Sequence, residues 1–196
     1  ELGIRSEGLA IDVPAMMQRK DAIVSRLTQG VAALFKANGV ETLSGSALLL
    51  GSSAVELTDR QGNRSQLSAD HIVIATGSVP MQIPACPLDG DLIVDSSGAL
   101  QFQSVPKKLG VIGAGIIGLE LGSVWNRLGS EVIILEALDD FLPAADHQVA
   151  KEALKQLSNQ GLDIRLGTRV TRADVNVGQV DLHYSDAEGD KQESFD

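Results

Sequence analysis

A glycine-rich turn with the sequence GAGIIG at residues 113–118 limits the folds open to this chain more than any other segment. It follows the apolar run of residues 109–112, which is typical of a buried strand, and it opens a helical pattern over residues 116–128. In that context the first glycine makes a tight turn, the second lets a pyrophosphate approach the backbone, and the third lets helix and strand pack closely. The turn therefore predicts the phosphate-binding corner of a Rossmann-type unit, where the helix N-terminus offers free N–H groups and a positive dipole end.

An acidic residue follows at the distance that such a unit requires. Glu136 ends the apolar strand pattern of residues 131–135 and lies 23 residues after Gly113, close to the usual spacing of about 20. Its carboxylate is expected to accept hydrogen bonds from ribose hydroxyls and to repel a 2′-phosphate, and no basic residue follows through Asp140. The sequence thus predicts NAD rather than NADP. The alternative is a tight glycine turn with a solvated acid at a strand end.

The second half of the chain continues the alternation of strands and helices. A helix capped by Asp146 and ended by Gly161 is expected, followed by a third strand over residues 163–166. Residues 170–195 alternate around two turns, which is typical of an antiparallel meander. The predicted fold class is α/β, with a Rossmann-like parallel sheet and an antiparallel β meander.

The first half is predicted to begin with one long helix. Asp12 is a candidate cap, Asn38-Gly39 a candidate end, and the apolar stripe between them is expected to be core. The apolar run at residues 71–75 is interpreted as a strand buried on both faces. Three short strands are expected between the helix and this run, at residues 48–50, 55–57 and 66–67.

Composition excludes several classes of function. The chain has 16 Lys and Arg against 26 Asp and Glu, a net charge of −10, which argues against nucleic acid. No apolar run approaches the roughly 20 residues of a membrane span. The single Cys86 is interpreted as a packed small residue, and His71, His147 and His183 fall in separate elements, so no metal site is expected. A reducing, cytoplasmic location is predicted.

Four segments of the chain are distinctive when taken together. They are GVAALFKANGVE at residues 30–41, IVIATGSVP at 72–80, VDSSGAL at 94–100 and GAGIIGLELGSVWNRLGSEVIILE at 113–136. These segments resemble the dihydrolipoamide dehydrogenases, within the flavoprotein pyridine nucleotide-disulfide oxidoreductase family. The resemblance implies part of an FAD-binding domain in residues 1–100 and an NAD-binding domain in residues 101–196 that lacks its closing strand.

The same resemblance assigns roles to individual residues. It implies that Glu136 binds the adenosine ribose of NAD and that Val170 touches the adenine through its backbone. Ala47 would meet the FAD adenine. From the residues alone, Glu120 is equally well interpreted as a helix-surface acid, and residues 76–78 as a strand-ending turn. The remaining implied NAD contacts are Gly113, Ala114, Gly115, Ile116, Ile117, Gly118, Leu119 and Glu120, and the remaining FAD contacts are Thr76, Gly77 and Ser78.

Several parts of such an enzyme are not found in this sequence. They are the glycine turn for FAD, the CxxxxC redox disulfide, and the dimerisation domain with its His–Glu pair. Because the chain also begins with Glu1 rather than Met, we expect an internal fragment that is inactive by itself. The intact enzyme would oxidise dihydrolipoamide through the disulfide and FAD and reduce NAD, as a homodimer serving a 2-oxo acid dehydrogenase complex. The alternatives are another flavoprotein disulfide reductase, such as glutathione or mercuric reductase, and a non-enzymatic NAD-binding module.

Overall fold

The chain divides into two compact units. The structure, a computed structural model, describes residue 8 and residues 10–196. Lys20–Val79 forms one unit, and the described residues up to Arg19 form the other together with Pro80–Asp196. Both units contain helix and strand, so the predicted α/β class is confirmed. The division into cofactor domains at residue 100 depends on ligand roles and stays a prediction.

Four helices and nine strands make up the described chain. The helices are α1 (Val13–Ala37), α2 (Ser96–Ala99), α3 (Ile116–Arg127) and α4 (His147–Asn159). The strands are β1 (Gly45–Leu49), β2 (Ala54–Asp59), β3 (Arg64–Ser68), β4 (Lys108–Ile112), β5 (Glu131–Leu135), β6 (Asp163–Arg165), β7 (Arg169–Asn176), β8 (Gln179–Asp186) and β9 (Gly189–Phe195). They form three sheets of three strands each: antiparallel β1-β2-β3, parallel β4-β5-β6 and antiparallel β7-β8-β9.

The long helix α1 has the predicted ends but not the predicted core. Asp12 Oδ1 accepts the Ala15 N–H at 2.9 Å, and Gly39 follows the helix with a φ of +67°. Val13 and Met17 are buried and Met16 of the stripe packs against the same core, whereas the stripe from Ile23 onward is exposed. The prediction that the stripe is core is therefore confirmed at Met16 and wrong for the rest, because burial requires a packing partner that periodicity does not supply. The exposed members are Ile23, Leu27, Val31, Leu34 and Phe35.

The predicted strand at residues 71–75 is also absent. That segment has no regular secondary structure, and its Val73 and Ile74 side chains are exposed. A strand exists only when a neighbour accepts its backbone hydrogen bonds. In the described part of the chain the nearest sheet ends at β3, and no strand pairs with this segment. The three short strands predicted before it are confirmed as β1, β2 and β3.

The parallel sheet forms the centre of the larger unit. Its middle strand β5 pairs with β4 on one side and with β6 on the other. Val132 and Ile134 point into a cluster with Trp125, while Ile133 and Leu135 point into a second cluster on the opposite face. Burial on both faces is the pattern expected of a strand within a parallel α/β sheet.

The meander β7-β8-β9 packs on one face of this sheet. Phe195 lies against Gly110 of β4, where an added Cβ atom would be 3.1 Å from the Phe195 ring. Lys108 Nζ and Arg165 each contact the Glu193 carboxylate at 2.7 Å. The predicted hairpin turns are confirmed at Gly178 and at the start of β9. A glycine contact and an ionic cluster therefore fasten the meander to the sheet.

Candidate nucleotide-binding site

The glycine turn closes at the carboxyl edge of the parallel sheet. Gly113 follows β4 with a φ of +102°, and its N–H donates to the Leu135 carbonyl at 2.8 Å. At Gly118 an added Cβ atom would fall on the Gly113 carbonyl oxygen and lie 3.2 Å from Val111 Cγ1. The first and third glycines therefore perform the two mechanical tasks that the sequence predicted, a left-handed turn and a close helix–strand contact.

The middle glycine leaves the start of α3 open. Gly115 is the N-cap of the helix, no side chain caps it, and an added Cβ atom would meet nothing within 4 Å. The first N–H groups of a helix have no partner inside the helix. An uncapped N-terminus with free space in front of it can accept an anion, because the donors and the positive dipole end point the same way.

The Glu136 side chain is joined directly to this turn. Its Oε2 accepts the Ala114 N–H at 2.8 Å, and its Oε1 accepts the Leu138 N–H at 2.9 Å. Ala114 is buried and Glu136 is half-buried. A carboxylate has about four lone-pair positions, so each oxygen keeps capacity for a further donor. The sequence predicted nearness of acid and turn, and the structure shows that a hydrogen bond connects them.

The start of β7 reaches the same edge. The Thr168 N–H donates to the Glu136 carbonyl at 2.8 Å, and the Glu136 N–H donates to the Arg165 carbonyl at 2.9 Å. Val170 follows two residues later, half-buried and packed against the cluster that contains Leu135. In open α/β sheets, ligands bind outside the carboxyl ends of the strands. The structure thus brings residues 113–118, Glu136 and Val170 to one edge.

Sequence reasoning missed Gly167 and Thr168, which connect β6 to β7. Gly167 has a φ of +60°, and its N–H donates to the Leu138 carbonyl at 2.9 Å. A glycine directly after a predicted strand is the signal that would have marked this turn.

The other residues predicted along α3 differ in exposure. Leu119 is buried in the hydrophobic core, whereas the side chains of Ile116, Ile117 and Glu120 are exposed. Leu119 therefore anchors the helix, and its side chain is not free to touch a ligand. The nucleotide contacts predicted for these residues stay predictions.

The residues predicted to contact FAD lie in the Lys20–Val79 unit. Ala47 is exposed in β1 opposite Leu57 of β2. Residues 76–78 are exposed and irregular, and Gly77 has a φ of +73°. Among the described residues, no strand pairing or hydrogen bond joins Ala47 to Thr76, Gly77 or Ser78. The FAD contacts predicted for these four positions stay predictions.

Three further features of the described residues bear on function: the single cysteine, groups that could bind a metal, and helices that could span a membrane. Cys86 is buried, and burial, with a smaller effect from the Asp89 charge, raises the pKa of its thiol. A buried thiol of raised pKa is a poor nucleophile, so the interpretation of Cys86 as a packing residue is confirmed. Residues 8 and 10–196 contain no group of three or more His, Cys, Asp or Glu that could hold a metal ion. No helix in that part of the chain is long and apolar enough to cross a membrane.

Residues 4–195 match the family described as pyridine nucleotide-disulphide oxidoreductase. This match covers nearly the whole chain. The chain belongs to this family. The family membership predicted from the four sequence segments is thereby confirmed. The match extends over both compact units and includes the glycine turn, Glu136 and Val170.

Several similar curated proteins are named dihydrolipoyl dehydrogenase, and others are named leghemoglobin reductase. The chain is 48% identical to dihydrolipoyl dehydrogenase of Cupriavidus necator H16 over 191 residues, which are 97% of this chain and 40% of that protein. It is 45% identical to dihydrolipoyl dehydrogenase 3 of Pseudomonas aeruginosa, over 99% of this chain and 41% of that protein. The chain thus spans about 40% of the length of the curated relatives it matches.

Solved structures of other proteins have the same fold. LpdA from Mycobacterium tuberculosis superposes with a TM-score of 0.83 at 21% identity, over 95% of this chain and 41% of that chain. The HOCl-induced flavoprotein disulfide reductase RclA from Escherichia coli superposes with a TM-score of 0.72 at 29% identity, over 92% of this chain and 40% of that chain. The fold and the oxidoreductase family of the chain therefore agree.

Proposed function

We propose that this chain binds NAD at the carboxyl edge of its parallel sheet, as the NAD end of a dihydrolipoyl dehydrogenase-like oxidoreductase. The observation that carries the proposal is the hydrogen bond from the Ala114 N–H to the Glu136 carboxylate at 2.8 Å. It places an acid with free lone pairs beside the turn at residues 113–118, whose N-cap Gly115 has no side-chain cap. Phosphates and ribose hydroxyls of one dinucleotide need these two sites side by side.

The residues present fit such a dinucleotide. The pyrophosphate would lie at the N-terminus of α3, held by the free first-turn N–H groups, and Gly115 leaves space for it. The adenosine ribose would donate its hydroxyls to Glu136, and the adenine would lie against the backbone of Val170. When bound, NAD supplies a nicotinamide ring that accepts hydride, and the residues of this chain orient the rest of the molecule.

Glu136 supports a preference for NAD over NADP. A 2′-phosphate would replace the hydroxyl that donates to the carboxylate and would bring a like charge next to it. Exposed Asp139 and Asp140 follow in the same loop and add no positive charge. Losing a hydrogen bond to a charged group costs about 1.5–3 kcal/mol, which corresponds to roughly tenfold or more in affinity.

The whole enzyme would use this site for the last step of its reaction. It would oxidise dihydrolipoamide through a redox disulfide and FAD and deliver the hydride to NAD, as a cytoplasmic homodimer within a 2-oxo acid dehydrogenase complex. Ala47 and residues 76–78 would touch FAD, but they supply too little of a flavin site to hold it. We therefore infer that this chain alone does not turn over dihydrolipoamide.

The alternative is that the whole enzyme is another flavoprotein disulfide reductase. The relatives named dihydrolipoyl dehydrogenase are 48% and 45% identical to this chain. The HOCl-induced reductase is 29% identical over 92% of it. The higher identity favours dihydrolipoamide as the substrate of the whole enzyme.

Calorimetric titration of the chain with NADH and NADPH tests the proposal. We expect the wild type to bind NADH about tenfold more tightly than NADPH, and Glu136→Ala to narrow that gap. Glu131→Ala is a matched control, since Glu131 lies at the opposite end of β5 and contacts Lys108 at 3.6 Å. Equal affinities in the wild type, or a gap that Glu136→Ala leaves intact, would contradict the role of Glu136.

A further inference from the structure

Thr168 is a buried polar residue that the proposed nucleotide contacts do not use. Its side chain is 2% exposed, although threonine is usually a surface residue. Its hydroxyl donates to the Leu166 carbonyl at 3.1 Å, across the turn that joins β6 to β7. A buried hydroxyl is costly unless it is hydrogen-bonded, and the bond to Leu166 offsets that cost.

Backbone hydrogen bonds connect this turn to Glu136. The Thr168 N–H donates to the Glu136 carbonyl at 2.8 Å. One residue earlier, the Gly167 N–H donates to the Leu138 carbonyl at 2.9 Å. Leu138 in turn donates its own N–H to Glu136 Oε1 at 2.9 Å. The turn therefore holds both the backbone of Glu136 and the residue that restrains its carboxylate.

Gly167 gives the turn a left-handed backbone conformation next to the loop of Glu136. Its φ of +60° lies in the left-handed region, which L-residues with side chains rarely adopt. An added Cβ atom there would lie 2.5 Å from Asp139 Oδ1, in the loop that carries Glu136. The turn therefore lies directly against that loop.

We propose that Thr168 is a positioning residue for Glu136. Its hydroxyl closes the turn at residues 166–168, the turn holds residues 136–138, and Glu136 is thereby kept on the Ala114 N–H. A carboxylate held in place before the ligand arrives binds ribose hydroxyls with less loss of side-chain freedom. The consequence for nucleotide choice rests on the proposed function, whereas the positioning of Glu136 does not.

The positioning is tested first without any nucleotide. Thr168→Val has a similar shape and no hydroxyl, and Thr168→Ser restores the hydroxyl. In ¹H–¹⁵N spectra of the full chain, we expect Thr168→Val to shift the Ala114 amide upfield and to speed its hydrogen exchange. Glu136→Gln gives the reference signal for a weakened bond, and Thr168→Ser is expected to return the Ala114 signal toward wild type. An Ala114 amide that Thr168→Val leaves unchanged would overturn the proposal.

Nucleotide titration then separates positioning from general stability. We expect Thr168→Val to weaken NADH binding about fivefold, which corresponds to the loss of about one neutral hydrogen bond. The affinity for NADPH should stay within about twofold of the wild-type value. In a Glu136→Ala background the same change is expected to have no further effect, as in a cycle of two coupled residues. Equal losses of affinity for NADH and NADPH would overturn the positioning role of Thr168. So would a loss of NADH affinity in the double variant equal to the sum of the two single losses.

The two proposals fail in different ways. If the wild-type chain binds no nucleotide while the Ala114 amide responds to Thr168→Val, the NAD-binding function is wrong and the positioning stands. If NADH binds in preference to NADPH but neither the amide nor the preference responds, the function stands and the positioning is wrong.

A second pair of variants covers the case in which Thr168→Val does not fold. Gly167→Ala places a side chain against Asp139 at a positive φ, whereas Gly178→Ala meets open space at a similar φ of +75°. We expect Gly167→Ala to perturb the Ala114 amide and Gly178→Ala to leave it in place. The same response to both variants would overturn the proposal.

Discussion

The two compact units use similar apolar patterns and bury them to very different extents. In the unit containing Pro80–Asp196, Ile134 of β5 is 0% exposed, with partners on both edges of the strand and layers on both faces. In Lys20–Val79, Leu27 of α1 is 63% exposed, although it lies in an equally regular apolar stripe. Periodicity defines which face of an element is apolar, but it does not define what covers that face.

The strands show the same contrast. Residues 132–135 of β5 are all buried, whereas every residue of β1 and β3 is exposed. A small antiparallel sheet without a layer against it gains little from apolar burial. Substitutions of apolar residues should therefore lower the stability of the unit containing Pro80–Asp196 much more than that of Lys20–Val79.

The largest expected effect comes from truncating an equivalent aliphatic side chain in each unit. Ile134→Ala should lower the free energy of unfolding by about 2–5 kcal/mol, because it removes buried methyl groups and leaves a cavity. Leu27→Ala should change it by less than about 0.5 kcal/mol, since the Leu27 side chain is mostly in solvent. Urea unfolding followed by circular dichroism measures both. Equal costs would mean that the α1 stripe is covered in solution.

A smaller effect, of opposite sign in the two units, is expected from adding one methyl group at glycine. Gly118→Ala should destabilise the chain by about 1–3 kcal/mol, because its Cβ atom would fall on the Gly113 carbonyl oxygen. Gly30→Ala in α1 meets nothing within 4 Å and should stabilise by about 0.5–1 kcal/mol. Thermal unfolding measures both shifts, and a stabilising Gly118→Ala would be inconsistent with the close helix–strand contact.

The smallest expected effect concerns ionic contacts and their dependence on pH. Burial raises the pKa of Glu193, but hydrogen bonds from Lys108 and Arg165 outweigh it and leave that pKa below its ordinary 4.5. A lowered pKa in the folded state contributes stability above the unfolded pKa, and this contribution is lost as pH falls through the folded value. Glu193→Gln should therefore cost about 1–2 kcal/mol at pH 7, and the cost should shrink below about pH 4.

The matched substitution in the other unit is Glu56→Gln. Glu56 contacts Arg64 at 3.6 Å, and the Arg64 side chain is 71% exposed. Exposed pairs of this kind are worth little, so we expect a change below about 0.5 kcal/mol at pH 7. Urea unfolding of both variants from pH 3 to pH 7 makes the comparison. A Glu193→Gln cost that grows on acidification would contradict the lowered pKa.

Much of the fold could be predicted because its signals are local. Asp12 and Asp146 cap the helices α1 and α4, and the turns of the meander occur where glycines were expected. The glycine turn and Glu136 were found for the same reason, since a strand, a tight turn and a helix leave a pattern within one short segment. In the structure, the hydrogen bond between the Ala114 N–H and the Glu136 carboxylate joins the turn and the acid of that pattern.

The failures concern contacts with partners that a local pattern does not name. Residues 71–75 have the composition of a buried strand, but no described neighbour pairs with them. Thr168 and Gly167 act through backbone hydrogen bonds to a loop about 30 residues earlier in the chain. Such bonds join backbone atoms only, so residue types do not show which distant segments they connect, although Gly167 does mark the turn itself.

The sequence by itself determined where most helices and strands lie, although not at residues 71–75, and it determined where the glycine turn lies and which acid accompanies it. Short-range sterics and capping decide these features, and they act within a few residues. Tertiary structure alone decided which apolar faces are covered and how the turn at residues 166–168 holds Glu136. Burial and long-range backbone hydrogen bonding depend on the position of distant segments, which only the folded chain brings together.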